Sequence, residues 1–240
     1  MSWFTNWFDS PYYHILYKNR DEKEAQNFIN KLTNYLKINK ESKIIDIACG
    51  KGRHAMYFNQ IGYNVVGIDL SKNSIEHAKT YENETLKFFI HDMRCVFKRN
   101  EFHIATNLFT SFGYFDNKKD NQRSINAMAS NLKKNGILII DFMNVNKIIS
   151  NLILSEKKQI QNINFSITKK IENNFIIKNI VFHHKGKKNQ FQEKVRAINL
   201  KEFSSLINKA KLKIINIFGS YNLEEFNLET SNRLILICKK

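Results

Sequence analysis

The chain has 240 residues, of which 42% are hydrophobic, so it is long and apolar enough to form one large domain. Its three cysteines, Cys49, Cys95 and Cys238, are widely spaced, which argues against a disulfide framework or a zinc site and favours a reducing, cytoplasmic location. The sequence does not open with a basic segment followed by an apolar run, and no stretch approaches the roughly 18 apolar residues of a spanning helix, so we expect neither a signal peptide nor a membrane anchor.

The chain is strongly basic, with a formal net charge of +16 and an isoelectric point near 9.7. A charge of this size is typical of proteins that bind nucleic acid. However, the lysines are scattered along the sequence, arginines are few, and the abundant Lys, Asn, Ile and Phe are all encoded by A/T-rich codons. We therefore favour a solvated surface whose charge follows from composition, and nucleic-acid binding is the less favoured alternative.

The first element is an aromatic segment over residues 1–20, in which Trp3, Phe4, Trp7 and Phe8 recur at helical spacing and three tyrosines follow. Such a helix could pack on the core or cover a ligand site as a lid. A membrane-surface helix is a weaker alternative because the segment lacks a basic face. Next, a capping box from Asp21 to Glu24 predicts a longer helix. Its apolar stripe comprises Ala25, Phe28, Ile29, Leu32 and Leu36.

The most informative pattern lies between residues 43 and 69. In KIIDIACGKGR, an apolar strand carries Asp46 at its end and is followed by Gly50, Gly52 and a predicted helix; in GYNVVGID, a second strand ends at Asp69. Glycines let the backbone approach a ligand closely, and the second acid can hold ribose hydroxyls. The pattern therefore predicts a nucleotide site at the carboxyl ends of parallel strands.

Asp46 indicates which nucleotide this is. The segment from Gly50 to Ala55 matches the dinucleotide pattern G-x-G-x-x-[G/A], in which a pyrophosphate lies on a helix N-terminus. A carboxylate four residues before Gly50 would repel a pyrophosphate, whereas it suits the sulfonium and ammonium groups of S-adenosylmethionine. Asp92, at the end of a third apolar strand in FFIHDM, can accept a hydrogen bond from an adenine amino group.

Strands and helices alternate from residue 43 to residue 144. We expect strands near residues 43–48, 63–69, 86–91, 102–108 and 136–142, and helices near residues 53–61, 72–83 and 120–134, with Ser71 as an N-cap. Continuous apolar strands such as residues 137–140 are typical of a sheet covered on both faces.

After Asn144 the pattern changes to alternation with period two over residues 157–198, where Gly186 can turn a hairpin. We interpret this stretch as an antiparallel insertion in a single domain over residues 1–240. A helix carrying Phe203 and Ile207, then strands near residues 213–218 and 233–238, return to the main sheet. The predicted fold class is α/β, with a doubly wound, Rossmann-like seven-stranded sheet, an antiparallel β insertion and an N-terminal helical lid.

Together these motifs resemble class I S-adenosylmethionine-dependent methyltransferases of the small-molecule type. The resemblance implies S-adenosylmethionine as cofactor and a set of cofactor-binding positions. These are Tyr17, Arg20, Asp46, Ala48, Gly50, Gly52, Asp69, Leu70, Asp92, Met93 and Asn107.

Within this set the resemblance implies particular roles. Asp46 would face the amino-acid end of the cofactor, where Arg20 could meet the carboxylate; Asp69 would hold the ribose, and Asp92 with Met93 would bound the adenine. In this family many members have glycine at the position of Ala48, and we expect the change to cost little because alanine is nearly as small. The segment NLFTSFGYF, from Asn107, resembles the part that lines the methyl-transfer pocket.

Candidate bases and metal ligands are less distinct. His183 and His184 are adjacent on a predicted strand, so only one can face a pocket, and Tyr17 is a further candidate. Asp141 and Asn144 end the fifth strand, where metal-dependent catechol methyltransferases place ligands. An acid expected after the fourth strand is replaced by Asn107, so we expect no metal.

Three functional hypotheses follow. The first is transfer of a methyl group to a nitrogen or oxygen of a small molecule, and the second is methylation of RNA or protein on the same fold. The absence of an N-P-P-Y-type tetrapeptide after the fourth strand and of paired cysteines favours the first. The third is a non-catalytic nucleotide-binding domain, against which the complete set of Asp46, Gly50 and Asp69 argues.

Overall fold

A mixed seven-stranded sheet forms the centre of the computed structural model, which describes residues 3–18 and 22–240. In chain order the strands of the protein are β1 (Lys43–Ile47), β2 (Asn64–Asp69), β3 (Leu86–Ile90), β4 (Phe102–Asn107), β5 (Leu132–Met143), β6 (Ser155–Ile160), β7 (Ile163–Glu172), β8 (Phe175–His184), β9 (Lys187–Arg196), β10 (Lys213–Phe218) and β11 (Arg233–Lys239). The central sheet has the order β10-β11-β5-β4-β1-β2-β3. Strands β1 to β5 are parallel, and β11 is antiparallel to both of its neighbours.

Helices cover both faces of this sheet, which is why its strands are apolar on both sides. They are α1 (Trp3–Phe8), α2 (Pro11–Leu16), α3 (Glu22–Tyr35), α4 (Arg53–Gln60), α5 (Lys72–Lys79), α6 (Lys118–Asn131), α7 (Val145–Ser150) and α8 (Leu200–Lys209). Side chains of α3, α4 and α5 share one hydrophobic cluster with the sheet, and those of α6 and α8 share another. The predicted doubly wound α/β fold is confirmed.

Most of the element boundaries agree with the sequence to within two residues. Ser71 caps α5 as predicted, since its hydroxyl accepts from the Ser74 amide at 3.1 Å. Two ends differ. Helix α5 stops at Lys79 instead of continuing to residue 83, and α6 stops at Asn131 because Leu132 is extended and pairs with Phe102 of β4.

The period-two segment forms a separate antiparallel sheet over residues 155–196, in the order β6-β7-β8-β9. This insertion sheet begins and ends two residues earlier than predicted, and Gly186 turns the β8–β9 hairpin with a φ of +72°. A third hydrophobic cluster joins it to the N-terminal helices, where Trp7 and Leu16 pack among Phe165 and Phe182.

The N-terminal helices are therefore packed on the insertion sheet. Trp7 is only 1% exposed. The predicted capping residue Asp21 and the candidate Arg20 lie outside the described residues. In α3 the predicted apolar stripe is buried, apart from Leu36, which lies just beyond the helix and is half-buried. Within the ranges 3–18 and 22–240, no helix has the length and apolarity needed to span a membrane.

Candidate functional site

A cavity of about 370 Å³ lies at the carboxyl ends of β1, β2 and β4. We call it the glycine-loop cavity. Its walls come from the turn between β1 and α4, from Asp69 and Ser71 after β2, from the segment after β4, and from the N-terminal helices. Parallel strands of a doubly wound sheet place ligands at this edge, so the cavity lies where the sequence predicts the nucleotide.

The glycine turn has an open side and a packed side. A Cβ atom added to Gly50 would meet no heavy atom within 4 Å, so the backbone there is open to a ligand. A Cβ atom on Gly52 would lie 2.6 Å from the Phe88 ring, so this glycine is required by packing as well as by its φ of +85°. Of these two glycines, Gly50 lines the glycine-loop cavity, and Gly52 is not among the described residues that line it.

Ala48 lines the same cavity but has a φ of +60°. Left-handed backbone costs a residue that carries a Cβ atom about 1–2 kcal/mol. We expected alanine in place of glycine to cost little because the two residues are similar in size. The positive φ of Ala48 shows that this expectation left out the backbone strain. Strain of this kind persists where the surrounding structure fixes the chain, which here is the edge of the cavity.

Asp69 fixes the shape of the turn. Its carboxylate accepts from the backbone N–H of Gly50 at 2.8 Å and of Ser71 at 2.8 Å. Burial raises its pKa, against these two hydrogen bonds, and the nearby Asp9 raises it further. Asp9 itself accepts hydrogen bonds from Ser71 and Asn73 and thereby attaches the N-terminal segment to the start of α5.

Asp46 lies behind the turn and is 1% exposed. Its Oδ1 atom accepts from the Thr106 hydroxyl at 2.8 Å, whereas its Oδ2 atom has no hydrogen-bond partner among the described residues. Burial raises the pKa of Asp46 to about 7, and the charge of Asp69 adds to this while Arg53 opposes it. Asp46 and Asp69 thus form an acidic pair in which each has a raised pKa.

A smaller cavity of about 70 Å³ adjoins the first and shares Ala48, Asp69, Phe8 and Tyr114 with it. This edge cavity is also lined by Leu70, Asp92, Met93 and His91. The structure therefore brings five of the predicted positions, Ala48, Asp69, Leu70, Asp92 and Met93, to one small pocket.

The carboxylate of Asp92 is already paired on one side. Arg94 approaches it at 2.6 Å and also contacts Asp120 at 3.1 Å. Burial alone would raise the pKa of Asp92, but the hydrogen bonds and charge of Arg94 outweigh it and lower the pKa. Asp92 is therefore ionised at neutral pH and remains an acceptor at the wall of the edge cavity.

Aromatic side chains of α1 cover both cavities. Phe4 and Phe8, one helical turn apart, face Tyr114 and Phe115 of the segment after β4, with ring centroids 5.2 Å apart for Phe8 and Tyr114. Trp7, on the other face of α1, is buried against the insertion sheet. The spacing that predicted the helix thus separates a face toward the cavities from a face toward the core.

The segment after β4 is held in an unusual conformation by a buried ion pair. Phe109 and Thr110 both have positive φ values, 57° and 60°. The carboxylate of Asp141, which is fully buried, accepts from the Phe109 amide at 2.8 Å and from Arg233 Nε at 2.7 Å. Arg233 in turn donates to the Thr110 hydroxyl at 2.9 Å. These contacts position the wall formed by Leu108, Phe109 and Ser111.

Asp141 and Asn144, the two positions considered as possible metal ligands, have protein partners. Asp141 pairs with Arg233, and Asn144 caps α7 and donates to the Leu228 and Ser231 carbonyls at 2.8 and 2.9 Å. No cluster of three or more His, Cys, Asp or Glu side chains suited to a metal occurs within residues 3–18 and 22–240.

Asn107, another predicted position, is fully buried and donates to the Ile47 carbonyl at 2.9 Å, so it ties β4 to β1. Its Oδ1 atom has no partner among the described residues. Asn107 and Asp46 do not appear among the described residues that line the glycine-loop cavity; both lie one layer behind it.

Tyr17 is brought to the cavity wall as predicted, and its hydroxyl points to the insertion sheet. The hydroxyl donates to Glu193 Oε1 at 2.6 Å and accepts from the ammonium group of Lys178. Glu193 also accepts from the Trp7 indole at 2.8 Å. This contact joins the N-terminal helices to β8 and β9.

The histidines at the cavity are not the predicted ones. His183 is exposed, and His184 is hydrogen-bonded to the Tyr12 hydroxyl at 3.0 Å; neither is among the described residues that line the glycine-loop or edge cavity. Instead, His14 of α2 and the buried His54 of α4 line the glycine-loop cavity. His54 directly follows the glycine turn, a position the sequence could have indicated, whereas nothing in the sequence distinguishes His14.

Comparison with known proteins agrees with this geometry. Residues 44–136 match the family model of a methyltransferase domain. That range contains the glycine turn and the acidic strand ends, Asp69 and Asp92, that build both cavities.

The chain is thus similar to methyltransferases over residues 44–136.

Individual relatives are distant. The chain is 27% identical over 101 residues, 42% of each protein, to a dTDP-3-amino-3,4,6-trideoxy-alpha-D-glucopyranose N,N-dimethyltransferase from Streptomyces venezuelae. It spans less than half the length of the curated relatives that it matches.

Two solved structures share the fold over nearly the whole chain. One is an S-adenosylmethionine-dependent methyltransferase from Clostridium acetobutylicum, with a TM-score of 0.80, 17% identity and 95% of both chains covered. The other is an S-adenosylmethionine-bound amino pentose methyltransferase from Micromonospora echinaspora, with a TM-score of 0.73, 14% identity and 96% and 97% of the two chains covered. At these identities the likeness is one of fold, and it extends to the N-terminal helices and the insertion sheet.

Proposed function

We propose that this protein is an S-adenosylmethionine-dependent methyltransferase that transfers a methyl group to a nitrogen or oxygen nucleophile of a small molecule. The observation that carries the proposal is the acidic pair at the glycine turn. Asp46 and Asp69 are both largely shielded from water and have raised pKa values, and Asp46 has an oxygen without a partner among the described residues. A cationic ligand relieves this arrangement, whereas a pyrophosphate aggravates it.

The residues around the two cavities fit the parts of this cofactor. Asp69 and the open backbone at Gly50 suit the ribose, and the edge cavity with Asp92 and Met93 suits the adenine. Asp46 supplies negative charge toward the ammonium and sulfonium groups, direct or through water. When bound, the cofactor supplies an electrophilic methyl group that a nucleophile takes up by direct displacement.

The contribution of the protein is then mainly positioning. Effects of proximity and orientation reach about 7–11 kcal/mol in well-aligned systems. Phe8 and Tyr114 exclude water from the junction of the two cavities, and the Asp141–Arg233 pair keeps the wall after β4 in place. His14, His54 and Tyr17 line the glycine-loop cavity and are the candidates for taking up a proton from a protonated acceptor.

A small-molecule acceptor is favoured by the cover over the site. Helices α1 and α2, which pack on the insertion sheet, border the glycine-loop cavity with aromatic side chains, and a concave pocket with such a lining suits small ligands. Two of the similar proteins are, by their names, methyltransferases of a dTDP-linked amino sugar and of an amino pentose, which supports a small-molecule acceptor. Methylation of RNA or protein remains the second candidate, supported by the net charge of +16.

Thermal shift with S-adenosylhomocysteine and NAD tests the cofactor assignment. We expect S-adenosylhomocysteine to raise the Tm, because ligand at a hundredfold excess over Kd stabilises by about 2.7 kcal/mol. NAD should leave the Tm unchanged, since its pyrophosphate would face the acidic pair. A shift with NAD alone would overturn the proposal. If S-adenosylhomocysteine binds, transfer of labelled methyl groups to small metabolites or to RNA separates the two acceptor classes.

A further inference from the structure

A third cavity, of about 360 Å³, lies between the end of β5, helix α7 and the insertion sheet. We call it the lysine cavity, because Lys147, Lys169 and Lys178 line it. Among the described residues of its lining, Glu193 is the one acidic residue. The remaining wall is largely apolar and includes Met143 and several aliphatic side chains. A cavity with this lining favours a ligand that combines an anionic group with an apolar or ring-shaped body.

Lys178 is the residue that most needs a ligand. Its side chain is 15% exposed, so its ammonium group is largely removed from water. An ammonium group has three N–H donors. Among the described residues, its only hydrogen-bond acceptor is the Tyr17 hydroxyl, and the nearest carboxylate oxygen, Glu193 Oε2, is 3.6 Å away. A mostly buried cation with unused donors is costly unless an anion or acceptor completes its shell.

Glu193 does not meet this need. Its Oε1 atom accepts from Trp7 and Tyr17, at 2.8 and 2.6 Å, and this fixes the carboxylate toward the N-terminal helices. Burial lowers the pKa of Lys178 despite the attraction of Glu193, so the pair does not compensate the loss of hydration. Lys169 already has an acidic partner, Glu156 at 2.9 Å, so Lys178 is the cation of this wall with the greater need for an anion.

The lysine cavity and the glycine-loop cavity meet at Tyr17. The Tyr17 side chain lines the glycine-loop cavity, and its hydroxyl contacts Lys178 and Glu193 in the wall of the lysine cavity. The two cavities also rest on neighbouring strands, since Leu108 follows β4 and Met143 ends β5. The hydrogen-bonded group of Tyr17, Lys178 and Glu193 is therefore the partition between the two cavities.

We propose that the lysine cavity binds an oxyanion of the methyl acceptor, a carboxylate or a phosphate, through Lys178 with support from Lys169, while the nucleophile of the same molecule reaches past Tyr17 into the glycine-loop cavity. This inference rests on the proposed methyltransferase function and specifies its substrate class. The acceptor is then a small organic anion that bears an amine or hydroxyl group.

The first test is anion binding to protein saturated with S-adenosylhomocysteine, measured by calorimetric titration with inorganic phosphate and with butyrate. The variants are Lys178→Gln, which removes the charge, and Lys178→Arg, which keeps it. Lys170→Gln is the matched control, since Lys170 is also a strand lysine paired with a glutamate but is half exposed and outside the described lining of the cavity. Circular dichroism and S-adenosylhomocysteine binding establish that each variant is folded.

We expect at least one anion to bind the wild type and the Lys170→Gln control equally. Lys178→Gln should bind it at least tenfold more weakly, and Lys178→Arg within about threefold of the wild type, because arginine keeps the charge. The inference would be overturned by any of three results. These are an anion affinity of Lys178→Gln equal to that of the wild type, a loss of affinity in Lys170→Gln as large as in Lys178→Gln, and no binding of either anion to the wild type. If Lys178→Gln does not fold, Lys169→Gln is compared in its place, with a weaker but selective loss expected.

The second test identifies the source of the charge. Labelled methyl groups are transferred to a metabolite extract, and the product is applied to an anion-exchange resin at about pH 11, where primary to tertiary amines are mostly uncharged, before and after phosphatase treatment. A product retained in both cases carries a carboxylate, and one released by phosphatase carries a phosphate. A labelled product that is never retained overturns the anionic acceptor but leaves the methyltransferase intact, whereas failure to bind S-adenosylhomocysteine removes the proposed function itself.

Discussion

Replacement of Asp46 by asparagine should make the free protein more stable at alkaline pH while weakening cofactor binding. Burial raises the pKa of Asp46 from 3.8 to about 7 in the folded protein. A carboxyl group with a raised pKa contributes stability that is fully present below about pH 4 and is lost as the pH rises to about 7, because only the folded state retains the proton in that range.

The size of the effect follows from this window. At about 1.4 kcal/mol per pH unit, a window of about three units corresponds to about 4 kcal/mol of lost stability above pH 7. Asparagine removes the charge and can keep the hydrogen bond from Thr106, but its buried amide costs about 1–3 kcal/mol if it lacks a partner. The expected net gain for Asp46→Asn near pH 8 is therefore about 1–3 kcal/mol.

Urea denaturation of the wild type and the variant at about pH 5 and pH 8 measures this difference. The advantage of Asp46→Asn should appear at the higher pH and shrink at the lower, while S-adenosylhomocysteine should bind the variant about tenfold more weakly. Asp116→Asn is the control, since Asp116 is exposed and its change should be small at both values. A difference between wild type and Asp46→Asn that does not vary with pH would refute the buried-carboxylate reasoning.

Four further substitutions test other parts of the site. Asp69→Ala should weaken S-adenosylhomocysteine binding by about 1.5–3 kcal/mol in calorimetric titration, the usual contribution of hydrogen bonds to a charged acceptor, and an unchanged Kd in a folded variant would exclude a ribose role. Asp141→Ala should lower the free energy of unfolding by about 3–5 kcal/mol in urea, because it leaves the guanidinium of Arg233 buried without its partner; a loss below about 1 kcal/mol would contradict this. Phe8→Ala should weaken cofactor binding by about 1–2 kcal/mol with little effect on the free energy of unfolding. Trp7→Ala should lower the free energy of unfolding by about 3–5 kcal/mol. If Phe8→Ala instead lowers stability and leaves cofactor binding unchanged, Phe8 is structural and not part of a lid.

A matched control exists for the buried ion pair. The Lys43–Glu101 contact has a similar length, 2.7 Å, but side chains that are 46% and 36% exposed. Glu101→Ala should therefore change stability by less than about 1 kcal/mol. The comparison separates the effect of burial from that of charge.

The sequence by itself determined the α/β alternation, the glycine turn and the acidic strand ends. These features follow from local rules, since strand and helix periods, caps and left-handed glycines depend on residues a few positions apart. Asp69, Asp92 and Met93 could be placed at one edge because parallel strands end on the same side of a sheet. The cost at Ala48 was missed because a backbone angle is not visible in residue size.

Only the tertiary structure decided which side chains meet across long separations. Lys178 reaches Tyr17 over 161 positions, and Arg233 reaches Asp141 over 92. No local pattern encodes such contacts, because they depend on how the insertion sheet and the last strand pack against the rest. The same packing buries Asp46 deeply enough to raise its pKa and leaves His183 exposed. Burial is a property of the assembled layers, so the charge state of the site and the identity of its neighbours emerge only when the sheets and helices come together.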